Sequence, residues 1–228
     1  MTEVTWILDP SSGHLVVEGV TAEEAAALAG DLLQTARDLN CARPLHWATA
    51  PLATPADTSG AMLRVARIYH GSVVEGPGRR SVVQLQGCPI KCRGCFVPET
   101  HDPDGGTALS VAQVVDTLLD PAGEPRDGIT MLGGEPMAQP KGLLALLSAL
   151  KALNLHIVVY TGYTLDALGR RPELEIRKAL LLTDLLIDGP FVATQAYDAG
   201  EWRGSRNQRL IYQPGVVLAH RQRRGRGA

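Results

Sequence analysis

The sequence predicts an α/β protein: a barrel, or part of one, behind a small α+β extension. Three observations carry this. From Ala61 onward, short apolar runs alternate with segments of helical periodicity. Runs such as "HIVVY" and "DLLID" suit strands buried on both faces, as a parallel sheet requires. Before Ala61 the pattern differs, so the chain divides there.

The first sixty residues read as an accessory unit. "TWILDPSSGHLVVEG" suggests two short strands joined by a turn at Asp9–Gly13. In "TAEEAAALAGDLLQTARDLN", Thr21 is the expected N-cap and Glu24 stands three positions later, the capping-box spacing. "ARPLHWATAPLATPADTSG" lacks either period and reads as a linker. In the core, residues 61–217, strands are expected near Val65–His70, Ser81–Gln86, Gly128–Leu132, His156–Tyr160, Leu182–Ile187 and Leu210–Gln213. Helices are expected near Ser110–Leu119, Lys141–Asn154, Leu165–Leu168 and Pro172–Leu180. Residues 218–228, ending in "HRQRRGRGA", are expected to form a basic, disordered tail.

A chain of 228 residues with 45% hydrophobic content and a net charge of −2 can bury one substantial core and resembles neither a nucleic-acid binder nor a membrane-surface binder. "MTEVTWILDP" has no basic start followed by an apolar run, so no secretory signal is expected. No segment approaches the ~20 apolar residues needed to span a bilayer. A cytoplasmic protein is the expectation, and there closely spaced cysteines hold metal or do redox work more often than they form bridges.

Three of the four cysteines, Cys88, Cys92 and Cys95, fall within "QLQGCPIKCRGCFVPETH", just after the expected strand "SVVQLQG". Cys41 lies far away and reads as an ordinary small apolar residue. A structural zinc site closes with four ligands, and the fourth here would have to be His70 or His101. A cubane iron–sulfur cluster usually takes four cysteines, so three would leave one iron open to a substrate. An unmetallated redox loop is the third reading. Gly87 and Gly94 let backbone wrap closely around a bulky group, and Lys91 and Arg93 could offset thiolate charge.

Barrel chemistry gathers at the C-terminal ends of the strands. Four expected strand ends carry glycine: "QGC", "LGGEP", "YTGY" and "IDGPF". In "LGGEP", Gly133 and Gly134 allow main-chain oxygens to approach a ligand, and Glu135 supplies a carboxylate for an ammonium group. There is no G-x-S-x-G, Walker loop or dinucleotide fingerprint, and no catalytic group is expected beyond the cluster ligands.

The Cys-x3-Cys-x2-Cys spacing after a barrel strand resembles the radical S-adenosylmethionine superfamily. Glu75, Gly76, Pro77, Gly78 and Arg80 resemble the acidic-Gly-Pro-Gly…Arg segment of the activases of glycyl radical enzymes. "CRGCFVPETH", "YTGY", "LIDGPF" and "WRGSRNQRLI" are most similar to the activase of anaerobic ribonucleotide reductase. Glu75 stands where that family usually has Asp, and Met1–Gly60 has no counterpart in the compact activase.

The resemblance implies a partial (β/α) barrel and a 4Fe-4S cluster on Cys88, Cys92 and Cys95. It implies S-adenosylmethionine chelated to the open iron and cleaved reductively to methionine and a 5′-deoxyadenosyl radical. It also implies a binding site for that cofactor: Gly133, Gly134 and Glu135 toward the amino group, Tyr160 and Gly162 toward the ribose or carboxylate, and Asp188, Pro190 and Phe191 with Gly94 and Phe96 toward the adenine. Asp188 reads equally as a structural cap. The polar residues Arg203, Ser205, Asn207 and Gln208 either orient the cofactor, face a partner or form a solvated turn. The implied partners are a glycyl radical enzyme of the class III ribonucleotide reductase kind and, as electron donor, a flavodoxin or ferredoxin. Two alternatives stay open: direct action on a small molecule or peptide, and a non-catalytic iron–sulfur or zinc module.

Overall fold

The computed structural model describes residues 5–9, 14–18, 60–120 and 126–224, with side chains described within 60–120 and 126–222. Two units make up the chain, Met1–Ala53 and Thr54–Ala228. In the first, β1 (Thr5–Asp9) and β2 (His14–Glu18) pair antiparallel from Thr5↔Glu18 to Asp9↔His14. The expected helix after Thr21, the linker and Cys41 lie outside the described residues.

The second unit is built on seven strands: β3 (Met62–Ser72), β4 (Arg80–Leu85), β5 (Thr107–Ser110), β6 (Gly128–Leu132), β7 (His156–Thr161), β8 (Leu185–Asp188) and β9 (Arg209–Tyr212). They lie in the order β5-β3-β4-β6-β7-β8-β9. The central β4, β6, β7 and β8 run parallel, whereas β3, β5 and β9 are antiparallel to their neighbours. This is a partial (β/α) barrel whose parallel core is wrapped by helices.

The crossovers are α1 (Val111–Leu118), α2 (Pro140–Ala152), the short α3 (Leu165–Gly169) and α4 (Leu174–Leu182), and α5 (Pro214–Arg224) closes the unit. α1 starts where Ser110 and Gln113 form a reciprocal capping box. Thr164 caps α3 by accepting from the Ala167 N–H. Among the described residues no helix is long and apolar enough to cross a membrane.

Every residue of β4 and of β8 is buried, the mark of strands covered on both faces. Register places Val83, Met131, Val159, Leu186 and Ile211 on one face and Val82, Thr130, Val158, Leu185 and Tyr212 on the other. The second set lines the inner face of the barrel. Above it, toward the C-terminal ends, come Gln84, Leu132, Tyr160, Ile187 and Leu210, and Trp202, from a later loop, packs against the cluster of Val158, Leu185 and Ile187.

The base of the barrel is closed by the Gly-Pro-Gly segment. Arg80 opens β4 and is fully buried; its Nε donates to Thr130 Oγ1 (2.6 Å), Nη1 to the Pro77 carbonyl (2.9 Å), and Nη2 to the carbonyls of Ile129 (2.7 Å) and His156 (3.0 Å). Burial brings its guanidinium down to about 10. Thr130 Oγ1 in turn donates to the Glu75 carbonyl at 2.7 Å, holding the segment inside the barrel. The Glu75 carboxylate accepts from Tyr69 and Ser72 hydroxyls on β3.

One expectation is corrected. The C-terminal residues from 218 do not begin a disordered tail: α5 continues to Arg224, with Val217 and Leu218 buried against the unit. These two apolar residues on one turn anchor a helix whose last turn and a half, from His220, is polar.

Candidate cluster and cofactor site

The cysteine loop begins where β4 ends, and several bonds fix its root. Gln86, nearly fully buried, donates through Nε2 to the carbonyls of Glu99 (3.0 Å) and Asp102 (2.7 Å). The Gly87 N–H reaches the Thr100 carbonyl at 2.8 Å and the Cys88 N–H the His101 carbonyl at 3.2 Å. Cys95 N–H closes back on the Cys92 carbonyl at 3.1 Å. The loop therefore leaves and returns through one hydrogen-bonded neck.

The strand end after β6 docks on that neck. The Glu135 N–H donates to the Gly87 carbonyl at 2.9 Å, and the Gly134 N–H to Thr100 Oγ1 at 2.9 Å. Gly134 has φ +48°, and a Cβ there would lie 2.6 Å from the Leu85 carbonyl oxygen and 2.9 Å from that of Gly87. Only glycine fits, because both obstacles are backbone.

Glu135 links this end to the next. Its carboxylate accepts from the Met137 N–H (2.9 Å), Thr161 Oγ1 (2.8 Å) and the Gly162 N–H (2.8 Å). It is fully buried, and burial pushes its acid up to about 7 against the pull of those donors. Gly162 touches the cysteine loop itself: a Cβ there would lie 2.5 Å from Ile90 Cδ1. The Gly189 N–H then bonds the Tyr163 carbonyl at 3.0 Å, tying in the end of β8.

On the far side Phe96 and Phe191 pack with ring centroids 4.6 Å apart. Gly94 (φ +77°) faces Ala193, where a Cβ would sit 3.1 Å from the Ala193 Cβ. Phe96 is 73% exposed, an aromatic face open at the mouth. The structure thus brings Cys88, Cys92, Cys95, Gly94, Phe96, Gly133, Gly134, Glu135, Gly162, Pro190 and Phe191 to one rim.

Asp188 sits differently. It is fully buried, accepts from the Leu165 N–H at 2.6 Å at the start of α3, and pairs with Arg209 through both oxygens. Those bonds describe the cap of its two readings. Tyr160 turns to the inner face, its hydroxyl on the Trp202 carbonyl at 2.7 Å. Ser205 and Gln208 are not in a solvated turn: Ser205 Oγ accepts from the Val192 N–H (3.1 Å), and Gln208 Nε2 donates to the Gly189 carbonyl (3.0 Å). Asn207 Nδ2 holds the Pro190 carbonyl at 2.8 Å.

Gln86 and Thr100 form the neck, and neither was singled out from the sequence. The one signal for Gln86 is a second amide two residues after Gln84, just beyond the end of β4 and before the cysteine loop.

Cys88, Cys92 and Cys95 are free thiols, each partly exposed. Burial pushes the Cys88 thiol up, while the N–H groups of Lys91 and Ile90 act the other way. Such donors aimed at a ligand sulfur also tune a cluster's potential. Among the described residues no three His, Cys, Asp or Glu side chains converge on a point where one metal ion would sit. A cubane takes each thiolate at a different iron, so its three sulfurs need not converge. The donor set and the glycine-lined neck fit such a cluster.

Comparison with known proteins agrees. The 4Fe-4S single cluster domain family matches residues 74–211. An anaerobic ribonucleoside-triphosphate reductase-activating protein of Vibrio cholerae is 33% identical over 153 residues, covering 61% of this chain and 92% of that one. A pyruvate formate-lyase-activating enzyme of Clostridium pasteurianum is 33% identical over 131 residues, 54% of this chain but only 52% of that one. The solved structure of QueE from Escherichia coli superposes at a TM-score of 0.41, with 18% identity, over 47% of this chain and 55% of that chain. With a three-thiol loop locked onto a glycine-rich strand end, and a family match spanning both, the chain belongs to the radical S-adenosylmethionine activases, enzymes built on a single 4Fe-4S cluster domain.

Proposed function

We propose that this enzyme installs a glycyl radical on an anaerobic ribonucleoside-triphosphate reductase. Cys88, Cys92 and Cys95 would hold a 4Fe-4S cluster at this loop, beside the position where S-adenosylmethionine would bind. Once bound and reduced, the cluster would supply the one electron needed to split that cofactor into methionine and a 5′-deoxyadenosyl radical, the species that would take a hydrogen atom from a glycine Cα.

The chain's own residues position and shield. Gly133 and Gly134 bring main-chain oxygens to the cofactor's ammonium group, and buried Glu135 sets their height against the cysteine loop. Tyr160, Gly162, Pro190 and Phe191 wall the cavity with Gly94 and Phe96. Asp188 holds that wall from behind through Leu165 and Arg209. No general base is needed, and exclusion of water is the remaining task. A cytoplasmic setting keeps the thiols reduced, and a flavodoxin or ferredoxin is the fitting source of the electron.

The observation that carries this reading is the direct lock between the cysteine loop and the Gly133–Glu135 turn, through Glu135 N–H to Gly87 O and Gly134 N–H to Thr100 Oγ1. The partner rests on the reductase-activating relatives, one of which this chain covers over 92% of its length.

The test is anaerobic reconstitution followed by dithionite reduction. The expected results are 5′-deoxyadenosine from S-adenosylmethionine, and a glycyl radical signal in electron paramagnetic resonance when the reductase is added. Cleavage without a radical on the reductase would replace the partner with a small molecule or peptide. Iron content unaffected by Cys92→Ala would overturn the cluster assignment.

A further inference from the structure

The cysteine loop has two faces. Toward the barrel, Ile90 packs at the end of β7, where a Cβ on Gly162 would lie 2.5 Å from its Cδ1. The next residue, Lys91, takes a left-handed backbone with φ +49°, uncommon for a residue that carries a side chain. Its N–H, with that of Ile90, bonds toward Cys88, while its side chain is exposed. Arg93, on the other side of Cys92, is exposed as well. From Cys88 to Val97 the loop carries these two cations and no acid.

A third cation joins them through the neighbouring turn, Ala193–Gln195. A Cβ on Gly94 would sit 3.1 Å from the Ala193 Cβ, and the Gln195 carbonyl accepts from the Arg206 N–H at 2.9 Å. Arg206 is exposed, and Tyr197, two residues past the turn, is 89% exposed. Among the described residues, the side chains of Lys91, Arg93 and Arg206 make no ion pair or hydrogen bond. The acids nearest in sequence are Glu99, Asp102 and Asp104, on the return to the neck, and Asp198 and Glu201, after Tyr197.

Cations left without partners add nothing to the fold and favour an anionic surface. Exposed tyrosine and arginine are side chains that anchor protein interfaces. Their place on the loop supplies the purpose. The activity proposed above needs an electron delivered from outside, and the barrel face of the loop is committed to the cofactor. The solvent face, where Lys91 and Arg93 flank Cys92, is where a donor reaches the thiolates without crossing that cavity.

We infer that Lys91, Arg93 and Arg206 form the docking surface for an acidic one-electron carrier protein. The inference rests on the cluster assignment proposed above. One electron leaves the carrier's reduced flavin or iron–sulfur centre, which is oxidised by one unit, and the cluster is reduced by one; no bond or proton changes at the three cations. A flavodoxin and a ferredoxin share this chemistry.

Stopped-flow reduction of the cluster-loaded protein by reduced flavodoxin, and in a second arm by reduced ferredoxin, separates the two. Photoreduced 5-deazariboflavin, which presents no acidic surface, is the control. Lys91→Glu/Arg93→Glu should slow reduction by the carrier at least tenfold at low salt, and Arg206→Glu about threefold, with deazariboflavin within about twofold of wild type throughout. The gap should close at about 0.5 M salt, where the screening length falls to ~4 Å. Calorimetric affinity for the oxidised carrier should weaken in the same order. The arm that slows identifies the carrier. Rates within about twofold of wild type in both arms overturn the inference. So does equal slowing with deazariboflavin, which reports a shifted cluster potential rather than docking. Weaker binding of the reductase with unchanged carrier rates assigns the patch to the reductase and overturns it too. Arg206 lies outside the ligand loop, so its variant still reports if the double variant loads iron poorly. Wild type that loads no iron overturns the cluster reading, whereas iron-loaded protein indifferent to charge reversal overturns the docking surface alone.

Discussion

The two ends of the same parallel strands are both built on glycine turns, yet they are finished differently. At the base, Gly76, Pro77 and Gly78 fold inward and Arg80 is buried with acceptors on all three guanidinium nitrogens. At the rim, Gly133 and Gly134 fold against the cysteine loop, Phe96 is exposed, and the three thiols are only partly covered. A polar group that is fully satisfied holds a fold together. Partly covered thiols and an open aromatic face leave room for a ligand instead. The difference separates architecture from function within a single barrel, and it can be broken by mutation.

The largest effect is expected at Gly134. An alanine there must adopt φ +48°, which costs ~1–2 kcal/mol before any contact is counted. It must also displace the carbonyl of Leu85 or Gly87, the residue before Cys88. Gly134→Ala should lose most of its iron after reconstitution, and with it cofactor cleavage, while far-UV circular dichroism stays close to wild type. Normal iron loading would show that the strand-end turn does not set the loop.

Arg80→Met probes the other end. It removes the donors for the carbonyls of Pro77, Ile129 and His156 in a place water does not reach. The expected loss is about 3–5 kcal/mol, in the range of a broken buried charge network. Denaturant titration measures it. The fraction that stays folded should bind iron normally. If this variant lost iron without losing stability, base and rim would not be separable.

Much of this was legible in the sequence, for identifiable reasons. Strands buried on both faces announce themselves as apolar runs, which is why β6 was expected at its observed bounds, Gly128–Leu132. The boundary between α4 and β8 was blurred because "LLLTDLLID" is apolar on both sides of it. Thr183 and Asp184 make the break: Thr183 Oγ1 bonds the Ala179 carbonyl at 2.9 Å and Asp184 Oδ2 takes the Ile157 N–H at 2.7 Å. β5 was missed because "TALS" has no strand pattern and is set by pairing with β3. The rim motifs were legible by spacing. Their supports were not, since Thr100 meets Gly134 across 34 positions and Gln86 meets Asp102 across 16.

The comparison sharpens with pH, because the ends respond with opposite sign. Glu135 is raised to about 7 by burial, so the folded state holds its proton more tightly than the unfolded chain. Stability at the rim is therefore lost as pH rises from about 4.5 to about 7, by a few kcal/mol at most, at ~1.4 kcal/mol per unit. His156 is lowered by burial and lies 3.4 Å from Arg80 Nη2, so the unfolded chain takes up the proton first. Stability at the base is lost as pH falls below its ordinary value of 6.5. Denaturant midpoints from pH 5 to pH 8 should rise with pH more steeply in Glu135→Gln than in wild type, and less steeply in His156→Gln. Parallel profiles for all three proteins would mean that neither group is coupled to folding.

The smallest effect is expected between the two ends, at Tyr160. Its ring fills the inner layer of the barrel while its hydroxyl reaches up to the Trp202 carbonyl at 2.7 Å. Tyr160→Phe keeps the packing and removes the bond, a loss of about 1 kcal/mol. Trp202 has φ +57°, a conformation that a bulky residue holds only when its surroundings insist. Without the hydroxyl the loop before β9 is held on one side, by Gln208 alone. Tyr160→Phe should lower the denaturant midpoint slightly while iron content after reconstitution stays at wild-type level. Loss of iron in this variant would mean that the rim leans on the barrel interior, and base and rim would then not be separable.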